Sequence, residues 1–80
     1  MKIILTFTNK YKKVDFLLND EMIIKDAIKT IIENTEFKID KEVEYIYSKR
    51  KHEKVNINYT FNQAKIFTGD ELVVGDLNNE

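Results

Sequence analysis

One stretch of the chain has the apolar spacing of an amphipathic helix. Between residues 21 and 37 the apolar side chains fall three, four, seven and eight positions apart, on one helix face: Ile24, Ala27, Ile28, Ile31 and Ile32. Charged and polar residues occupy the opposite face. A helix of about four turns with one apolar face needs a flat apolar surface to pack on, so the rest of the chain is expected to form a sheet. Either Asn19 or Asp20 could cap this helix.

The segments on either side of the helix carry strand patterns. Residues 1–8 and 13–18 alternate between apolar and polar side chains, and the short polar link between them predicts an antiparallel hairpin. Three further strands are predicted at 43–48, 55–59 and 71–74. Connecting residues are expected to reach the core: Phe37 or Ile39 after the helix, and Phe61 and Ile66 before the last strand. The predicted fold is α+β, with one helix on a mixed sheet of four or five strands.

Length and composition limit the classes of protein to consider. Eighty residues make one small domain, predicted over 1–75 with a short flexible tail at 76–80. Thirteen basic and fourteen acidic side chains nearly cancel, which does not favour nucleic-acid binding. The chain has no cysteine, so disulfides and thiolate zinc sites are excluded. No apolar run approaches the roughly 20 residues that span a bilayer, so we expect a cytoplasmic protein that is peripheral to a membrane at most.

The sequence contains no recognisable catalytic or cofactor motif. His52 is the single histidine, and two glycines cannot form a glycine-rich phosphate loop. Asp70 and Glu71 could be imagined as an acid–base pair, but adjacent carboxylates at a turn are explained more simply by solvation. We therefore predict that the protein is not an enzyme and has no cofactor, no metal ligands and no catalytic residues.

The order of the elements resembles the β-grasp fold of ubiquitin over about residues 1–74. Three stretches carry the resemblance: MKIIL at the N-terminus, the helix with Ile24, Ala27 and Ile31 inward, and TFNQAKIFTGDEL near the C-terminus. The resemblance implies that the strands lie in the order second, first, fifth, third, fourth, with the first and last strands parallel. The chain departs from ubiquitin at its end, GDLNNE, which has no diglycine.

With about this length and no diglycine, the chain is similar to the YukD/EsaB family of bacterial ubiquitin-like proteins. That resemblance implies a cytosolic accessory or regulatory component of the type VII (WXG100) secretion system. Its expected partner would be a secretion ATPase or a membrane subunit. A ubiquitin-like modifier or sulfur carrier is an alternative. The ending without diglycine disfavours it, because the resemblance implies activation of such proteins through a terminal diglycine. A stand-alone homodimeric regulator is another alternative.

Two groups of residues are candidate interaction sites. If the sheet follows the ubiquitin-like order, four apolar side chains would form a row on the face turned away from the helix: Ile4, Leu17, Ile46 and Val73. Such a row could bind a partner, and Ile46→Asp would then abolish binding without affecting folding. Alternatively, these residues are exposed singly, or the register is off by one residue.

The second candidate is a basic loop that could bind phosphate or an acidic partner: Lys49, Arg50, Lys51 and Lys54. A solvated loop is the alternative explanation of this charge run.

Overall fold

A computed structural model describes residues 1–9, 11–37 and 43–74. Five strands and one helix follow in chain order: β1 Lys2–Thr8, β2 Lys13–Asn19, α1 Ile24–Asn34, β3 Tyr45–Ser48, β4 Glu53–Asn56 and β5 Glu71–Val74. This order confirms the predicted fold class. The predicted tail at 76–80 lies outside the described residues.

The five strands form one mixed sheet in the order β2-β1-β5-β3-β4. β1 and β5 are parallel, and the other neighbouring strands are antiparallel. Strand order and directions are those that the ubiquitin-like resemblance implied. The parallel pair brings the first and last strands together at the centre of the sheet, although more than sixty residues separate Thr6 from its partner Glu71.

The core lies between the inner face of the sheet and α1. From the helix it takes Ile24, Ala27, Ile28 and Ile31, as their spacing predicted. Three aromatic rings pack edge to face beyond the end of α1, with centroids 5.7 to 6.4 Å apart: Phe7, Phe16 and Phe37. Phe37 therefore fills the base of the core, while Ile39, the other candidate, lies outside the described residues. Phe61 and Ile66 anchor their connector as predicted.

The helix is shorter than predicted, and neither Asn19 nor Asp20 caps it. The Asn19 side chain instead accepts a hydrogen bond from the Glu21 amide (2.9 Å), in a turn that leaves β2. The N-cap residue is Ile23, which has extended backbone angles and makes no side-chain cap. The first helical amides, of Ile24 and Lys25, donate to carbonyl oxygens in the 57–59 loop at 2.9 and 2.8 Å. A distant backbone segment thus satisfies the helix terminus, which local sequence rules do not detect.

Ile46 points into the core, so its predicted place on the outer face is wrong. Its side chain is 0% exposed. In the antiparallel β3–β5 pair, Ile46 lies opposite Val74 and Ser48 lies opposite Leu72. Directly opposed residues project to the same side of a sheet, so the buried side chains of β5 determine which face of β3 is inward. Tyr45 and Tyr47 are correspondingly half-buried on the outer face.

β4 begins two residues earlier than predicted. The His52 amide donates to the Ser48 carbonyl at 2.8 Å, which closes a tight loop at 49–52 and starts β4 at Glu53. His52 adopts a φ of 59°, in the left-handed region that histidine tolerates better than β-branched residues. The charged run at 49–54 is therefore part loop and part strand. Tyr59, in the loop after β4, is 51% exposed.

Truncation of Ile46 should destabilise the protein strongly. Ile46→Ala removes a fully buried side chain and leaves a cavity, so we expect the free energy of unfolding to fall by about 2–5 kcal/mol. Leu17→Ala is the matched control, because Leu17 is 61% exposed and should change stability by only about 0.5 kcal/mol. Urea denaturation followed by circular dichroism measures both. Equal effects of the two substitutions would contradict the inward orientation of Ile46.

Candidate functional site: the outer face of the sheet

The outer face, defined as the sheet surface turned away from α1, carries one exposed apolar pair. Ile4 on β1 and Leu17 on β2 lie directly opposite each other in the antiparallel register. Their side chains are 52% and 61% exposed. Directly opposed residues have Cβ atoms about 5 Å apart, so the two form a contiguous surface, called here the Ile4–Leu17 pair.

The other two residues of the predicted row lie elsewhere. Ile46 is in the core, and Val73 is half-buried beside Thr8, four residues along β1 from Ile4. At the strand rise, that offset is about 13 Å. A polar row separates the two positions, because Thr6 lies between them opposite Asp15. The structure thus brings together only Ile4 and Leu17 of the four predicted residues, while Val73 instead neighbours Tyr47.

Glu71 connects three strands across the polar part of the outer face. Its carboxylate accepts a hydrogen bond from the Thr8 hydroxyl at 2.9 Å. The ammonium groups of Lys49 and Lys13 lie 3.3 and 3.7 Å from the same oxygen. The Thr8 hydrogen bond is the largest cause that lowers the pKa of Glu71. Desolvation opposes it, and Lys49 and Lys13 lower the pKa further. Sequence reasoning missed this network because its members come from four separate segments.

The four cations of the predicted basic loop do not converge on one point. Lys49 pairs with Glu71, and Lys54 lies over the Tyr45 ring at 4.6 Å. The Arg50 guanidinium lies 5.7 Å from the centre of the exposed Phe67 ring. Lys51 donates to the Ala64 carbonyl and pairs with Glu53. Each cation therefore contacts a different group within the molecule, and binding of phosphate or an acidic partner by this loop stays a prediction.

A buried polar pair holds this loop against the start of β5. The Ser48 hydroxyl donates to one Asp70 carboxylate oxygen at 2.7 Å, and the Arg50 amide donates to the other at 3.2 Å. Ser48 and Asp70 are 0% and 1% exposed. The Lys51 amide donates to the Ser48 hydroxyl at 3.1 Å, which satisfies that oxygen as an acceptor. These contacts give Ser48 and Asp70 a structural role, whereas the sequence suggested for Asp70 only an acid–base pairing with Glu71.

Two arrangements of polar groups considered from the sequence, a metal site and an acid–base pair, can be checked among the described residues. Within 1–9, 11–37 and 43–74, no cluster of three or more histidine, cysteine or acidic side chains could hold a metal ion. Asp70 is buried, whereas Glu71 projects onto the outer face, so the imagined acid–base pair does not converge. In the same residues, no helix is long and apolar enough to cross a membrane.

Comparisons with known proteins identify the fold. No protein-family model matches the chain, and a search of curated proteins finds no match. Among solved structures, a ubiquitin-like domain of an Arabidopsis thaliana protein superposes with a TM-score of 0.70 at 18% identity, over 91% of this chain and 74% of that one. The chain has a ubiquitin-like fold.

Two further ubiquitin-like domains show how widely this fold is shared. The domain of Plasmodium falciparum Dsk2 matches with a TM-score of 0.66 at 17% identity, over 92% of this chain and 99% of that one. A bacterial domain, EccD5 of Mycobacterium xenopi, matches with a TM-score of 0.58 at 8% identity, over 92% of each chain. At these identities the likeness establishes the fold and leaves the function to be argued from the surface.

Glu71 should make stability depend on pH. A carboxylate whose pKa is lowered by folding stabilises the native state above its unfolded pKa, and the contribution is lost as pH falls through the folded value. Thr8→Val removes the main cause of the lowering. We therefore expect wild type to be more stable than Thr8→Val near neutral pH, with a difference that shrinks below the ordinary pKa of 4.5. Urea denaturation across this pH range measures it. A difference independent of pH would contradict the assignment.

Loss of the buried Ser48 hydroxyl should lower the free energy of unfolding more than loss of an exposed hydroxyl. Ser48→Ala leaves a buried Asp70 oxygen without its hydroxyl donor, so we expect the free energy of unfolding to fall by about 1–3 kcal/mol. Thr6→Val is the control, because the Thr6 hydroxyl donates to the exposed Asp15 and its loss should cost about 0.5 kcal/mol. Thermal denaturation of both variants tests the ranking, which equal melting temperatures would refute.

Proposed function

We propose that this chain is a non-catalytic protein-binding module that docks onto its partner through the outer face of the sheet. The observation that carries the proposal is the Ile4–Leu17 pair. Both side chains lie in regular strands of the sheet, directly opposed and more than half exposed. A solvated face of an antiparallel sheet ordinarily carries polar residues, so an apolar pair at its surface favours a partner.

The charges around the pair indicate the chemistry of that partner. Lys2 lies on the same face, two residues before Ile4 on β1, and is opposite Asn19, two residues after Leu17 on β2. The described acidic side chains of the face lie further along the strands, where Asp15 accepts a hydrogen bond from Thr6 and Glu71 accepts one from Thr8. A complementary partner would place an apolar side chain over the Ile4–Leu17 pair and a carboxylate towards Lys2.

We propose further that the partner is a subunit of a type VII secretion system, its ATPase or a membrane subunit. The chain would act there as a cytosolic accessory or regulatory component. Support comes from the resemblance to the YukD/EsaB family that the sequence shows over residues 1–74. The fold shared with the bacterial EccD5 domain is compatible with this assignment.

Affinity capture from the native host, with membranes solubilised and bound proteins read by mass spectrometry, tests the proposal. Wild type should enrich a type VII ATPase or membrane subunit. Ile4→Asp should lose that enrichment, because a carboxylate would be desolvated at the centre of the contact. Circular dichroism of the variant shows whether the fold is retained.

Tyr59→Asp is the matched control for this experiment. Tyr59 is 51% exposed, almost the same as Ile4, but it lies in the loop next to the start of α1. It should retain the partner that wild type captures. Equal loss in both variants would argue against docking through the outer face. Capture of proteins unrelated to secretion by wild type would overturn the type VII assignment.

A further inference from the structure

The outer edge of β2 is the longer of the two edges of the sheet. β2 pairs with β1 on one side and, in the described part of the chain, with no strand on the other. It runs for seven residues, whereas β4 at the opposite edge has four. A long edge strand presents a row of backbone donors and acceptors that can pair with another strand.

The hairpin hydrogen bonds indicate which backbone groups face this edge. The Asn9 amide donates to the Lys12 carbonyl at 3.0 Å, and the Asp20 amide donates to the Met1 carbonyl at 2.9 Å. Residues 12 and 20 therefore direct their backbone groups towards β1, and the even residues between them do the same. The amides and carbonyls of Lys13, Asp15 and Leu17 consequently face outward.

The core is less completely covered at this edge than at the other. Val14 and Phe16 pack against the core but are only partly buried. Their neighbours on β1 are nearly inaccessible, with Phe7 at 1% and Leu5 at 0%. At the opposite edge, Val55 of β4 is 5% exposed. A strand added beside β2 would bury the apolar side chains that the isolated sheet leaves partly open.

We propose that two copies of this chain pair through their β2 strands, antiparallel, into one continuous ten-stranded sheet. A two-fold axis at Val14 places Lys13 of each copy opposite Asp15 of the other. Both pairs then join opposite charges across the strands, on the outer face, with backbone hydrogen bonds between the same residues. This register extends to bring Tyr11 of one copy, 67% exposed, opposite Leu17 of the other.

Neighbouring two-fold registers are less favourable. A two-fold axis at Asp15 would place two like charges directly opposite each other, and one at Phe16 would place Asp15 opposite Leu17. The net charge of the chain is −1 at pH 7, so long-range repulsion between copies is small. A strand pair of this length buries less than the roughly 1,200 Å² of a stable interface, so we expect a dimer that dissociates in the micromolar to millimolar range.

Charge reversal with complementation tests the pairing. In sedimentation equilibrium, the average molecular mass of wild type should rise with concentration, from the 9.5 kDa of one chain towards twice that value. Lys13→Asp alone and Asp15→Lys alone would each create two like-charged pairs and should remain monomeric. An equimolar mixture of the two variants restores opposite charges at both positions, so it should form a dimer. A mixture that stays monomeric would overturn the proposed register.

A single introduced thiol tests the register independently, because the chain contains no cysteine. Val14→Cys would place two thiols in a directly opposed pair with Cα atoms about 4.5 Å apart, within the range of a disulfide. Leu17→Cys is the control. Collisional cross-linking would favour the more exposed Leu17 position, whereas the proposed pairing favours Val14→Cys. Faster dimer formation by Leu17→Cys would overturn the proposal.

The same measurements separate this proposal from the proposed function. The variants that test the dimer change Lys13, Asp15 and Val14, with Leu17→Cys only as a cross-linking control, whereas the docking variant changes Ile4 on a different strand. A wild-type protein that remains monomeric at all concentrations would overturn the dimer. The β2 edge could then pair only with an extended segment of a different protein. The capture experiment on the Ile4–Leu17 pair would still test the proposed function.

Discussion

The parallel pairing of β1 with β5 is the contact on which the rest of the structure depends. It joins the first and last strands at the centre of the sheet, so every other element is positioned relative to it. The contact with β1 also includes the residues just before β5. Just before that strand, the Gly69 amide donates to the Ile4 carbonyl at 2.9 Å, and the Ile4 amide donates to the Thr68 hydroxyl at 2.7 Å. Gly69 has a φ of 94°, a conformation that glycine adopts without strain.

This central pairing also explains why the two faces of the sheet differ. The inner side chains of β1 and β5 meet α1 and form the core. On the outer face, the same register brings Thr8, Glu71 and the two lysines beside them into one hydrogen-bonded and ionic network. That network occupies the middle of the face with polar groups. Among the described residues of this face, the exposed apolar pair of Ile4 and Leu17 lies to one side of the network, and we propose that a partner docks there.

The two proposed contacts use different physical properties of one sheet. Docking on the outer face depends on exposed side chains of β1 and β2, whereas self-association depends on the backbone of β2 and on the alternation of Lys13 and Asp15. Leu17 belongs to both surfaces, because a residue in an edge strand faces outward and also borders the edge. A dimer through β2 would place the Ile4–Leu17 pairs of the two copies on one continuous face. It would therefore present two docking sites to a partner of matching symmetry.

The sequence by itself determined the elements that have a local periodic signal. The three-and-four spacing of Ile24, Ala27, Ile28 and Ile31 predicted the helix and its buried face, and the alternation in β1 and β2 predicted the hairpin correctly. The strand order followed from resemblance to ubiquitin. In β1 and β2, where the alternation is regular, Ile4 and Leu17 were also assigned correctly to the outer face.

Only the tertiary structure decided the features that depend on distant partners. In β3, two tyrosines alternate with Ile46 and Ser48, and this pattern is compatible with either face of the strand pointing into the core. The register with β5 decides between the two faces. The start of α1 follows from carbonyl oxygens in the 57–59 loop, which satisfy its first amides in place of Asn19 or Asp20. The Ser48–Asp70 pair joins residues 22 positions apart. Local patterns cannot encode such contacts, because each one depends on where the rest of the chain brings its partner.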